Sequence, residues 1–98
     1  MAKLNDLEIR RNIFIDYEGE VKHGKPHGLG KGFYRNGIKY EGEWKDGKQH
    51  GYGKEYYIDG SLRYEGEYKD GFRHGKGISY YKNGAVAHDG EWRYDKEV

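Results

Sequence analysis

Residues 39 to 45 read Lys39-Tyr40-Glu41-Gly42-Glu43-Trp44-Lys45, with a ring or a glycine at each even position and a charge at each odd one. Side chains of an extended chain alternate between two faces, so this period of two predicts a β-strand with an aromatic-plus-glycine face and a charged face. Asp46-Gly47 and Asp59-Gly60 bracket the next strand, and such pairs favour hairpin turns because both residues accept positive φ. A two-residue turn at Asp46-Gly47 sets Gly42 opposite Gly51 and Tyr40 opposite Gly53. Across the next turn Tyr57 meets Leu62, Gly53 meets Gly66 and Gly51 meets Tyr68. Tyr64 joins the ring face, while Glu41, Glu43, Lys45, Lys48, Lys54, Arg63, Glu65 and Glu67 fall on the other.

The pattern recurs. Tyr17, Tyr40 and Tyr64 each open Y-E-G-E and His88 opens H-D-G-E, at spacings of 23, 24 and 24 residues. Within each unit follow His27-Gly28, His50-Gly51 and His74-Gly75, with Gly30, Gly53 and Gly77 two places on. An aromatic pair then precedes Asn36-Gly37, Asp59-Gly60 or Asn83-Gly84. Sixteen of the 17 glycines occupy five repeating positions, which makes glycine an architectural element and not a linker component. A glycine beside a ring bares backbone on which that ring can lie flat, and it lets a single sheet bend. Each hairpin is then stable only because the next one stacks on it.

The fold class that follows is all-β: a single-layer antiparallel meander of stacked hairpins, elongated and curved, with about eight strands. Residues 1–16 form a degenerate cap strand near Leu7 to Arg10, units span 17–39, 40–63 and 64–87, a half unit spans 88–93 and a tail 94–98. The first link is one residue shorter than the later ones, and a shift of one would turn every ring to the charged face. This predicts a three-residue loop Arg35-Asn36-Gly37 with Gly37 left-handed, pairing Tyr34 with Ile38 and Gly30 with Gly42.

The string Y-E-G-E-W-K-D-G-x-x-H-G-x-G resembles the MORN repeat over residues 17 to 93. Val21 departs from the aromatic found at Trp44, Tyr68 and Trp92, and Glu55 stands where the repeat usually has Tyr. The three-residue links Ser61-Leu62-Arg63 and Ala85-Val86-Ala87 are similar to short bacterial variants. The resemblance implies a scaffold or adaptor. Among the bacterial variants it also implies small immunity- or antitoxin-like inhibitors.

Only 34% of the residues are hydrophobic and 36% are charged, a balance that leans toward disorder until 11 Tyr, 3 Phe and 2 Trp are counted. The apolar material is concentrated in rings. There is no cysteine, so neither a disulfide framework nor a thiolate zinc site is expected, and a cytoplasmic setting follows. No segment approaches the about 20 apolar residues of a membrane span. A net charge of +1 excludes the basic field that grips nucleic acid.

Catalytic chemistry finds no foothold. Ser61 and Ser79 have no positioned base, and the Glu pairs recur opposite Lys and Arg as a solvated face does. His27, His50 and His74 sit on successive hairpins roughly 9 to 10 Å apart, whereas ligands of one zinc lie about 2 Å from it. No enzyme, cofactor or metal is expected. An uncovered aromatic strip instead suggests a protein-interaction module that takes a peptide or helix of a partner, with Tyr40, Trp44, Tyr57, Tyr64, Tyr68, Tyr81 and Trp92 as anchors. Lys22, Lys25, Lys31, Arg35 and Lys39 offer the alternative of anionic lipid headgroup binding, peripheral to a membrane, and ring stacking on a glycan is a third reading. The C-terminal strand from Ala85 to Arg93 has no following repeat, so its edge and Trp92 are expected to be exposed and to carry a homodimer contact.

Overall fold

Two kinds of turn alternate along the chain and make a meander. In the computed structural model, which describes residues 2–4 and 14–98, two-residue turns at His23-Gly24, Asp46-Gly47, Asp70-Gly71 and Tyr94-Asp95 have positive φ at both positions, from +47° to +91°. Those values splay a hairpin least, which is why Asp-Gly recurs there. Between them lie three-residue loops closed by Tyr34 N–H to Ile38 C=O, Tyr57 N–H to Ser61 C=O and Tyr81 N–H to Ala85 C=O at 2.8–2.9 Å. Each ends on a left-handed glycine, Gly37, Gly60 or Gly84. Asn36, Asp59 and Asn83 Oδ1 each accept the N–H two residues on, which gives the Asn/Asp of these loops its purpose.

The described residues form nine strands in one open antiparallel sheet, ordered as in the chain. They are β1 Ala2–Leu4, β2 Phe14–Lys22, β3 Lys25–Tyr34, β4 Lys39–Lys45, β5 Lys48–Tyr56, β6 Leu62–Lys69, β7 Phe72–Tyr80, β8 Val86–Arg93 and β9 Lys96–Glu97. The meander is therefore as expected, with short strands at both edges. The cap strand placed near Leu7 to Arg10 lies outside the described residues. The pairing strand is Ala2–Leu4, with Ala2 opposite Gly19. At the other end, residues 94–98 are not a free tail: they turn back so that Glu97 faces Trp92 and Lys96 faces Arg93. The longest dimension, 37 Å, matches nine strands spaced about 4.8 Å apart, and the shortest, 20 Å, exceeds the about 10 Å of a flat layer, so the sheet is twisted and bent.

The first link is as the spacing requires. Gly30 faces Gly42, and Arg35-Asn36-Gly37 is the loop. The later links use the same loop, not a two-residue turn. Tyr57 therefore bonds Ser61, and Tyr56, not Tyr57, faces Leu62. The surplus residue becomes a bulge at Arg63, and again at Ala87, which restores the faces one step later.

A second correction concerns the Asp-Gly hairpins. Gly42 faces Gly53, not Gly51, and Tyr40 faces Glu55, not Gly53. The single residue Glu43 stands opposite His50, Gly51 and Tyr52, a shift of two that leaves every side chain on its face. The Glu43 carboxylate accepts the Tyr52 N–H at 2.7 Å, so the amide freed by the bulge is satisfied. Glu20 with Leu29 and Glu67 with Lys76 repeat the device. The second Glu of Y-E-G-E is a bulge cap.

The core is a single row of rings. Tyr17, Tyr40 and Tyr64 are fully buried, and Trp44, Tyr68 and Trp92 are 3–4% exposed. From Tyr17 through Trp44, Tyr40, Tyr68 and Tyr64 to Trp92, consecutive centroids lie 4.9–5.3 Å apart with interplanar angles of 81–90°. This edge-to-face order sets ring hydrogens against neighbouring π faces.

Burial pushes the Tyr17 phenol up to about 12 and raises Tyr40, Tyr64 and Tyr68 further. Folded values above the ordinary 10.0 contribute stability that is complete below pH 10.0 and is lost as pH rises through them. We expect the phenolate absorbance of the buried row to rise in one cooperative step above pH 10.0, together with loss of sheet signal by circular dichroism. Independent titration of all 11 tyrosines around pH 10.0 in a folded chain would contradict the buried row.

Candidate functional site

Of the seven expected anchors, Tyr40, Trp44, Tyr64, Tyr68 and Trp92 belong to the buried row, so the expected open strip is corrected at these five positions. The cause lies in the glycines. Each repeat's Tyr lies across a Gly-Gly pair and donates its hydroxyl to the carbonyl three residues on: Tyr17 to Glu20, Tyr40 to Glu43 and Tyr64 to Glu67. His88 takes that place in the half unit, its Nε2 lying 3.2 Å from the Glu91 carbonyl oxygen. Trp92, expected at an exposed edge, is enclosed by Tyr64, His88 and the Arg73 guanidinium. The remaining two anchors differ. Tyr57 is half-buried, its hydroxyl bonded to the Tyr80 carbonyl, and Tyr81 is 58% exposed.

Between the second and third units the inner face carries charge. Glu55, 3% exposed, faces Tyr40 on one side and Tyr64 on the other. Its Oε1 accepts the Tyr68 hydroxyl at 2.6 Å and Arg73 Nε at 3.2 Å, and its Oε2 accepts Arg73 Nη2 at 3.0 Å and Arg63 Nη1. Burial alone would raise the Glu55 carboxyl, but the two guanidiniums and the Tyr68 hydroxyl outweigh it and hold it below the usual carboxylate range. Arg73 also lies over the rings of Tyr64 and Trp92, at 4.5 and 5.0 Å, in cation–π contact. Arg63 was expected on the charged face; as the bulge residue it turns inward to Glu55. Beside the cluster, buried Gln49 donates to the Tyr34 hydroxyl at 3.0 Å.

The sequence profile of the MORN repeat matches residues 17–39, 40–62 and 64–86. The chain belongs to the MORN-repeat family. No curated relative matches it. The profile steps over Arg63 and ends just before Ala87, the two residues that the fold treats as bulges, so each matched MORN unit is 23 residues long and the surplus residue between the second and third is an insertion. MORN repeats are generally protein- or membrane-interaction modules and are typically non-catalytic.

The MORN histidines make local contacts. His27 Nδ1 faces the Asp46 N–H at 3.4 Å, His74 Nδ1 faces the Tyr94 N–H at 3.3 Å, and His50 Nδ1 lies 3.9 Å from Asp70 Oδ1. Each histidine therefore meets the turn of the next unit. The Glu55 cluster is the feature the alternation pattern missed. Two signals pointed to it: Glu55 replaces the usual MORN tyrosine, and position 73 is Arg where the other units have Pro26 and Gln49.

Proposed function

We propose that the chain is a non-catalytic protein-interaction module whose partner segment lies along the loop-side margin of the inner face, with Tyr57 and Tyr81 as its anchors. The observation that carries this is exposure: Ile58 and Tyr81 are 73% and 58% exposed at that margin, while the rest of the ring row is closed. Clustered exposed apolar side chains mark contact surfaces. The five buried rings then act as scaffold that sets the spacing of the margin. Affinity capture with Tyr81→Ala tests this. Stability should stay within about 0.5 kcal/mol of the parent, because the ring has little to lose, while capture of the partner falls. Unchanged capture by Tyr81→Ala overturns the surface.

The lipid alternative loses charge in the fold, since Lys31 and Lys39 both reach Glu41, at 3.9 and 3.3 Å. Failure to sediment with anionic phosphoinositide vesicles at low salt removes it. A homodimer through β8 is confined to Val86–Gly90, because β9 pairs with Trp92 and Arg93. An 11.5 kDa mass by light scattering removes that contact.

A further inference from the structure

The Glu55 cluster lines a cleft of about 330 Å³ that opens between the second and third units. An ionised carboxylate has about four acceptor sites, and those of Glu55 are filled by Tyr68, Arg63 and two N–H groups of Arg73. A guanidinium has about five N–H donors. Arg73 gives two to Glu55 and Arg63 gives one, and neither side chain makes another hydrogen bond among the described residues. The cleft therefore holds a saturated acid and two cations with donors to spare. Such a site takes an acceptor, not another donor.

Charge narrows the choice. Asp95 also lines the cleft, its Oδ1 accepting the Arg73 backbone N–H at 2.8 Å, so two carboxylates stand beside two guanidiniums. A neutral lining admits a single negative charge and opposes a double one. A guanidinium fork takes carboxylate and phosphate oxygens alike, so it is the second charge of a dianionic phosphate, beside Glu55 and Asp95, that favours a carboxylate. Tyr34, Ile38 and Tyr68 supply ring and aliphatic surface for a stem. The volume lies at the small end of ligand sites, which suits one residue-sized group.

We propose that this cleft binds a carboxylate carried on an apolar or aromatic stem, either the last residue of a peptide or a free organic acid. The site lies beside the Tyr57 and Tyr81 margin and does not depend on it. The usual MORN tyrosine at position 55 would supply neither the carboxylate nor its hold on the two guanidiniums.

Nuclear magnetic resonance titration of the full chain tests the proposal with N-acetylphenylalanine, its amide, the peptide Gly-Gly-Phe and inorganic phosphate. The free acid should shift the signals of Tyr34, Arg63 and Gly71 and bind about tenfold tighter than the amide, with phosphate weaker than the acid. Arg63→Gln should weaken the acid about fivefold, and Asp95→Asn should tighten it about twofold. Binding of either the peptide or the small acid supports the proposal, and their order of affinity identifies the source of the carboxylate. Equal binding of acid and amide, tighter binding of phosphate than of either acid, or indifference to both substitutions overturns it. Because Arg63 is one-third exposed, and Asp95 is exposed and needs no repacking, at least one variant retains the fold.

Discussion

Gly53→Ala should abolish most of the stability of the sheet, although it adds only one methyl group. An ideal Cβ at position 53 would lie 2.3 Å from both Cε1 and the hydroxyl oxygen of Tyr40, far inside van der Waals contact. The ring has no room to yield. It is fully buried, edge-on to Trp44 and Tyr68 at 5.2 and 4.9 Å, and tethered by its hydroxyl to the Glu43 carbonyl. Lifting it breaks that bond and parts the row at its centre, so a loss of about 4 kcal/mol or more is expected, against the 5–15 kcal/mol that holds a typical small domain. Gly53 has no left-handed φ, which makes the effect steric.

Gly60→Ala is the informative comparison. Its φ is +92° but nothing lies within 4 Å of the added carbon, so only backbone strain is incurred, on the order of 1 kcal/mol. Urea midpoints of the two variants should differ widely. Similar losses would mean that the glycines serve backbone freedom and not the seating of rings.

The same distinction explains what the amino-acid pattern could and could not convey. Alternation from Lys39 to Lys45 gives the two faces, and the short link before Tyr40 gives the Arg35-Asn36-Gly37 loop, because parity errors of one residue are visible in the pattern. The bulge opposite Glu43 shifts the register by two and leaves parity intact, so alternation cannot register it. Burial of the rings was hidden for another reason. Whether Tyr40 lies flat or stands out depends on the bare backbone of Gly42 and Gly53 side by side, which requires the true register. Arg63 was misplaced because parity was carried straight through a bulge. The Glu55 cluster joins residues 8, 13 and 18 positions away across three strands, a relation with no periodic signature.

Removal of the Glu55 carboxylate should produce the other large loss. Glu55→Ala leaves Arg73, 14% exposed, charged against two rings without its partner, and it leaves the Tyr68 hydroxyl without its acceptor. Breaking a buried pair in this way costs about 3–5 kcal/mol. Adding Arg73→Met to the variant should recover part of that loss, because an apolar side chain over Tyr64 and Trp92 strands no charge. Acid gives an independent measure. The folded Glu55 value lies below the ordinary 4.5, so its contribution is present above pH 4.5 and is lost as pH falls through the folded value. The stability gap between the parent and Glu55→Gln, read from urea midpoints, should therefore be widest near neutrality and narrow steadily below pH 4.5. A gap that stays constant into strong acid would show that Glu55 contributes by shape and not by charge.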